Sequence, residues 1–340
     1  MNNLAIWYRR LCIFATVLAL VVIVMGAWVR LSDAGLGCPD WPGCYGSLIV
    51  PSEEGAVADA DAAYPERPLE ASKAWKEMIH RYAASTLGFS IMLIALFAWL
   101  NRRDPNQNVK VPIILFLLVC FQGALGAWTV TLLLKPLIVM GHLLGGLSTL
   151  ALLFWLVLDN KYPKEEGRAG ETIIPKAGVI ALLVLICQLA LGGWTSSNYA
   201  ALACPDLPTC QGQWWPDQVD FAEGFVMWRG LGVDYEFGVL EAPARVAIHF
   251  THRLGAIVAF LVLVFAAHKY MRIGINTRSD RLRNASVFVL IALTAQISLG
   301  LAAVWFGLPL AVATGHNMVA ALLLISVINM IHAALRDGAG

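Results

Sequence analysis

The sequence predicts an all-α polytopic membrane protein, with eight transmembrane helices arranged as two parallel-oriented four-helix bundles related by a pseudo-two-fold axis along the membrane normal. Three observations lead there. The composition is too apolar for a water-soluble core, eight segments are long enough to cross a bilayer, and the second half of the chain repeats the motifs of the first.

Of 340 residues, 59% are hydrophobic and 14% charged, against about 45–50% and about 25% in an ordinary soluble domain. The mean hydropathy of +0.68 points to lipid as the solvent. A net charge of +1 gives a nucleic-acid partner no electrostatic footing. Of the twelve Trp, Trp28, Trp75, Trp99, Trp128, Trp155, Trp194 and Trp305 fall at the ends of apolar runs, as interfacial anchors do.

A helix needs about 20 apolar residues to cross the hydrocarbon core, where its backbone polar groups must pair internally. The predicted spans are Leu11–Leu31, Glu77–Leu100, Val111–Leu133, Leu137–Leu158, Ala177–Ser197, Arg245–Ala267, Asn284–Phe306 and Leu310–Leu335. The first exceeds a signal-peptide core and no small-residue cleavage site follows it, so it is read as retained. With the N-terminus in the cytoplasm, the inner segments hold Arg9, Arg10, Arg102, Arg103, Lys110, Lys161, Lys164, Arg168, Lys176, Lys269, Arg272, Arg278, Arg281, Arg283 and Arg336. The segment from Ser32 to Lys76 carries eight Asp/Glu against three Lys/Arg. Positive-inside therefore puts both termini in the cytoplasm and the long loops, 32–76 and 198–244, outside.

Cysteine usage agrees. Cys38 and Cys44 lie in the first long loop and Cys204 and Cys210 in the third outer one, on the oxidising side, while Cys12, Cys120 and Cys187 lie alone in spans. A five-residue gap is wrong for a zinc ribbon and favours two short disulfides over metal ligation. Each would contribute about 2 kcal/mol as a local clip on its loop.

The repeat is direct. Gly26-Ala-Trp28 through Cys38-Pro-Asp-Trp-Pro-Gly-Cys44 aligns without gaps onto Gly192-Gly-Trp194 through Cys204-Pro-Asp-Leu-Pro-Thr-Cys210. Glu77-Met-Ile-His80-Arg81 aligns onto His249-Phe-Thr-His252-Arg253, and Gln122, Gly126 and His142 onto Gln296, Gly300 and His316. Each half, 1–176 and 177–340, holds four spans, and an even number returns the chain to the same side. Halves of like orientation disfavour an inverted-repeat transporter.

Ionisable groups inside a membrane are costly and point to function. His80, His142, His252 and His316 each lie one or two turns inside a predicted span that enters from the outer face, at a common depth. Two imidazoles facing each other across a bundle are what a six-coordinate heme iron needs. A bare zinc or copper ion would want more donors, and only His249 in one half and Glu77 in the other are near; a satisfied hydrogen-bonding role is the alternative. His268 and His332, at inner ends, are read as interfacial. Arg81 and Arg253 follow a candidate ligand in both halves and can pair with a heme propionate or reach outer headgroups. The glycines at 123, 126, 141, 145, 146, 300 and 315 allow close approach, of a flat ligand or of another helix. Glu77 breaks the symmetry: it shares a helical face with His80, where the other half has His249. A carboxylate there can do chemistry, favour the helix dipole or pair with Arg81.

On Glu77-x-x-His80-Arg81, His142, His252-Arg253, His316, the Gly-Ala-Trp to Cys44 segment and the duplicated halves, the chain resembles the heme A synthase family over essentially its whole length. That resemblance implies oxidation of the C8 methyl of heme O to the formyl group of heme A. It also implies a heme b cofactor on His252 and His316, heme O as substrate between His80 and His142 with Glu77 beside the reacting methyl, and a bacterial inner-membrane location. Heme O synthase and oxidase assembly factors are the partners it suggests, and the Cys38/Cys44 pair takes either a redox or a structural part. The inventory fits: with no nucleotide-binding glycine turn, iron–sulfur cysteine cluster or flavin fingerprint, a bound heme must carry the electrons. A di-heme electron-transfer cytochrome and a heme transporter are the rival readings. The acidic stretch Glu53–Glu70 and the Trp214-Trp215 pair have no chemical assignment from sequence.

Overall fold

The computed structural model describes residues 3–105, 107–162 and 175–336, which fold entirely as helices and connecting loops. The elements are α1 (Asn3–Leu31), α2 (Glu54–Ala63), α3 (Ala71–Leu100), α4 (Lys110–Thr131), α5 (Pro136–Lys161), α6 (Lys176–Ser197), α7 (Phe221–Gly224), α8 (Ala242–Asn276), α9 (Asp280–Trp305) and α10 (Leu310–Arg336). Among the described residues eight helices, all but α2 and α7, are long and apolar enough to cross a membrane, so the chain is built as a multi-pass membrane protein. Lys164 and Arg168, two of the cations used to orient the chain, lie outside the described residues.

The apolar runs locate the helices but not their ends. At 35 residues α8 is about 52 Å long at 1.5 Å per residue, well beyond a hydrocarbon core of about 30 Å. Likewise α3 begins at Ala71 instead of Glu77, and α1 at Asn3 instead of Leu11. Outside the hydrocarbon the intrahelical bonds persist, and polar residues extend a helix without raising its hydropathy. Local chemistry sets several starts: Pro136 opens α5, Pro243 lies in the first turn of α8, and the Ser279 hydroxyl accepts the Leu282 N–H to cap α9.

These helices are apolar on their lipid-facing as well as their packed sides. On α8, Ile257, Leu261 and Phe265 form an exposed stripe, while Ala259, Leu263, Ala266 and Tyr270 are buried. Within the second half Gly178 of α6 lets Ile331 of α10 come close, since a Cβ there would lie 2.8 Å from Ile331. The Tyr270 hydroxyl accepts the Gly178 N–H at 3.2 Å.

Helix contacts follow a ring in each half. Helix α1 packs on α3 and α5, and α4 packs on the same two, which leaves α3 and α5 at opposite corners and out of contact among the described residues. In the other half α6 and α9 each pack on α8 and α10, and these two corner helices touch only slightly. The rings meet where α1 and α5 contact α10 and α5 contacts α6.

Polar braces close both ends of that junction. At the disulfide end Arg30 donates to the Tyr199 hydroxyl (2.8 Å) and Ser196 O (3.0 Å), and Arg67 pairs with Asp234 (2.7 Å) and Glu236 (3.0 Å). Lys135 donates to Arg229 O (2.5 Å) and Gly230 O (2.9 Å) and sits 3.6 Å from the centre of the Trp228 ring. At the opposite end Asp159 of α5 meets His332 (3.0 Å) and Arg336 of α10 and accepts the Trp155 indole N–H (3.1 Å). His332 is therefore not the interfacial residue that its place near a helix end suggested. It is 0% exposed, held between Asp159 and Arg281 with Trp155 edge-on at 4.9 Å. Those partners come from α5 and α9, far away in sequence, and supply the hydrogen bonds that make burying an imidazole tolerable. The Asp159→Asn variant should lose about 2 kcal/mol of stability, seen as a lower unfolding midpoint in detergent, because it removes the charge shared by His332 and Arg336.

Candidate functional site

The histidine pairs occupy the opposite corners of the two helix rings. His80 lies on α3 and His142 on α5; His252 lies on α8 and His316 on α10. Counted from the helix starts, His142 and His316 are each about 9 Å in, His80 about 14 Å and His252 about 15 Å, all from the disulfide end.

A glycine on a neighbouring helix backs every one of these rings. A Cβ at Gly26 of α1 would lie 3.0 Å from His80 Cε1, at Gly126 of α4 3.5 Å from His142, at Gly192 of α6 3.3 Å from His252 and at Gly300 of α9 3.1 Å from His316. Any other residue would push on three of the rings. All four imidazoles remain half-buried, yet Nδ1 of His80, His142 and His316 is shut away from solvent without a hydrogen-bond partner. Around His252 and His316 the ring nitrogens are met by glutamines. The Gln188 amide nitrogen lies 3.1 Å from His252 Nδ1, and the Gln296 amide nitrogen 3.2 Å from His316 Nε2. Among the described residues no three His, Cys, Asp or Glu side chains converge to hold a metal ion.

The two CPD loops are built alike and cap these sites. Cys38–Cys44 and Cys204–Cys210 are disulfides with Cα separations of 4.8 and 4.6 Å. In each, the Asp of the motif accepts two backbone N–H groups: Asp40 from Tyr45 (2.6 Å) and Gly46 (2.8 Å), Asp206 from Gln211 (2.6 Å) and Gly212 (2.9 Å). The last cysteine then exchanges two hydrogen bonds with the residue three further on, Ser47 or Gln213. The motif is legible in sequence, but the role of its Asp was not assigned there.

Arg81 and Arg253 bind these loops. Arg81 donates to Asp40 O (3.0 Å) and Gly43 O; Arg253 donates to Asp206 O (2.8 Å), Thr209 O (2.7 Å) and Cys204 O (2.6 Å). The residue four positions earlier completes each clasp. Glu77, 5% exposed, pairs with Arg81 (2.5 Å) and accepts the Cys38 N–H on its other oxygen (3.0 Å). In the other half His249, 4% exposed, accepts the Cys204 N–H on Nδ1 (3.2 Å). So Glu77 and His249 perform the same structural task with different chemistry, and the ring of His249 is turned to its loop.

Outside the membrane spans, the Asp206 carboxyl titrates below the ordinary carboxylate range, chiefly through the Thr209 hydroxyl and then the Gly212 N–H. The Trp214-Trp215 pair follows this loop, 76% and 61% exposed, and occupies the register of Leu48-Ile49, 73% and 61% exposed. Trp215 lies edge-on to Phe250 at 5.0 Å. Of the acidic stretch Glu53–Glu70, part forms α2, and Asp61 accepts the Leu69 N–H at 2.7 Å.

Such an architecture, with imidazole pairs at the corners of membrane-spanning rings under disulfide-bridged caps, defines a polytopic helical membrane protein with paired intramembrane imidazoles. The family model described as cytochrome oxidase assembly protein (COX15-CtaA) matches residues 9–328, and the chain belongs to that family. The heme A synthase of Shewanella oneidensis is 44% identical over 328 residues, covering 95% of this chain and 94% of that protein. That of Halalkalibacterium halodurans is 27% identical over 326 residues (93% and 94% covered), and that of Novosphingobium aromaticivorans 28% over 334 (90% and 89%).

Replacing Arg253 with Ala should free three loop carbonyls and speed reduction of Cys204–Cys210 by dithiothreitol about tenfold or more, because charge-assisted hydrogen bonds are worth about 1.5–3 kcal/mol. Because the Asp206 pKa is depressed, its hold on the loop is complete above the unfolded carboxylate value and is lost as pH falls through the lowered one. Hydrogen-exchange protection at Gln211 and Gly212 should then persist from pH 7 to about 4 and fail below, whereas Asp206→Ala should lack it at every pH.

Proposed function

We propose that this chain is a heme A synthase, an oxidoreductase that converts the C8 methyl of heme O to the formyl group of heme A with one resident heme b. The observation that carries the reading is the glycine-backed imidazole pair at opposite corners of each ring. Two donors without a third suit a ligand that brings four equatorial nitrogens of its own. The half-buried rings and the flat glycine surfaces behind them fit a planar macrocycle.

On this reading residues 177–340 hold heme b through His252 and His316, and residues 1–176 hold heme O through His80 and His142. When bound, heme b supplies the redox chemistry that no side chain here can supply. Glu77 sits on the face of α3 that bears His80, and its carboxylate is fixed by Arg81 and the Cys38 N–H. It would offer a pre-oriented negative charge and proton acceptor to the reacting methyl of a bound heme O. Position 249 holds an imidazole instead, and this difference separates a reacting site from a retaining one. Arg81 and Arg253 hold the caps and would supply positive charge for heme propionates. A plain di-heme electron carrier or a heme transporter has no use for the Glu77/His249 difference.

The matching rings, caps and glycines support halves related by a pseudo-two-fold axis along the membrane normal. The cation distribution and the two disulfides support a bacterial inner-membrane protein with cytoplasmic termini and caps on the oxidising side. Heme O synthase is the partner expected to deliver substrate, and oxidase assembly factors to receive product.

Glu77→Ala should retain bound heme near the wild-type amount yet make no heme A, measured by extraction and mass analysis of pigments from membranes supplied with heme O; normal conversion would remove Glu77 from the chemistry. His252→Ala should abolish the reduced low-spin heme b signal and His249→Ala should keep it, since the His249 ring is committed to Cys204. The opposite pattern would exchange their roles.

A further inference from the structure

Beyond its disulfide each cap ends in an exposed apolar tip, Leu48-Ile49 in the first half and Trp214-Trp215 in the second. The segments that carry them, 41–52 and 207–216, contain no charged residue, although Asp40 and Glu53 flank the first and Asp206 and Asp217 the second. Each tip is laid against the flank of a helix. The Tyr82 hydroxyl of α3 donates to Leu48 O (2.5 Å), and Trp215 lies edge-on to Phe250 of α8. Tyr82 and Phe250 stand two residues from His80 and His252, so the tips reach to within about 3 Å of the imidazole level along the helix. The same faces continue as exposed apolar stripes: Ile79, Tyr82 and Phe89 on α3, and Ile257, Leu261 and Phe265 in line with Phe250 on α8. Among the described residues α3 and α8 contact only helices of their own half, so stripe and tip stand at an outer corner of each half.

An apolar patch left in water is costly and marks a surface that something covers. We propose that both tips are inserted in the lipid leaflet on the disulfide side, at the boundary between headgroups and acyl chains, where they prolong the lipid-facing surface of α3 and α8. The residue types suit that depth, since Trp and Tyr favour the interface and a segment without charge meets acyl chains without desolvating an ion. Duplication selects lipid over a protein: a bilayer meets both outer corners at once, whereas one docking protein or a second copy would cover a single corner. Each cap is then held on two sides, by Arg81 or Arg253 on its histidine-bearing helix and by its tip in the leaflet. Nothing in this placement depends on which heme occupies which half.

The test uses the full chain in vesicles of phosphatidylcholine and phosphatidylglycerol. The exposed free cysteines are first removed as Cys120→Ser and Cys187→Ser. Leu48→Cys or Trp214→Cys then carries a nitroxide, whose collisions with lipid-soluble oxygen and with a water-soluble nickel chelate are read by power saturation. Leu261→Cys on the exposed stripe of α8 and Glu66→Cys on the first long loop mark the lipid and water limits. Both tips should favour oxygen over nickel as Leu261 does, at a depth of about 5–10 Å, that of an interfacial apolar face. Nickel collisions as frequent as at Glu66 would overturn the proposal, because the tips would then stand in water. Shielding from both reagents would overturn it too, as cover by protein, with dipolar broadening between labels identifying a second copy. Insertion of one tip alone would defeat the duplicated placement. If Leu48→Cys does not fold, Ile49→Cys is read against the same expectations. If Trp214→Cys does not fold, the fluorescence that Trp214→Phe removes should be quenched by lipids brominated near the headgroups and spared by aqueous iodide; the reverse would overturn the proposal.

Discussion

An imidazole inside a lipid-embedded bundle is tolerable only if something meets its polar edge, and this constraint orders the rest of the molecule. Buried nitrogen without a partner costs free energy that hydrocarbon cannot return. In His332 the cost is met by Asp159 and Arg281, in His249 by a backbone N–H of its cap. His80, His142 and His316 keep Nδ1 unpartnered beside flat glycine surfaces. The contrast between satisfied and unsatisfied imidazoles, all in one chain, separates structural histidines from those proposed to meet a heme.

The caps depend on the same helices. Arg81 and Arg253 stand one residue beyond a proposed ligand and grip the carbonyls of a disulfide loop, so ligand helix and roof move as one body. Glu77 and His249 stitch that body a second time through the first cysteine of each loop. A carboxylate that both pairs with Arg81 and accepts the Cys38 N–H has little orientational freedom left, which is the property asked of a group that must act on a developing charge.

Much of this was legible in the chain itself. Uninterrupted apolar runs fixed the number of spans, because hydrocarbon thickness leaves few alternatives, while helix ends escaped because charged residues continue a helix once it has left lipid. Spacing and duplication singled out the histidines. Their seating at opposite corners was not readable, since it depends on which helices touch. Arg81 and Arg253 lacked a readable partner because backbone carbonyls carry no sequence signature. His332 looked interfacial because Asp159 and Arg281 are distant in sequence.

The braces at the two ends of the junction reach beyond stability. Arg30, Arg67 and Lys135 tie the halves together at one end, and Asp159 with His332 and Arg336 at the other. The lobes are thus tied at both ends of their junction. The gap between the two proposed porphyrin seats is then set by folding instead of being renewed by each encounter.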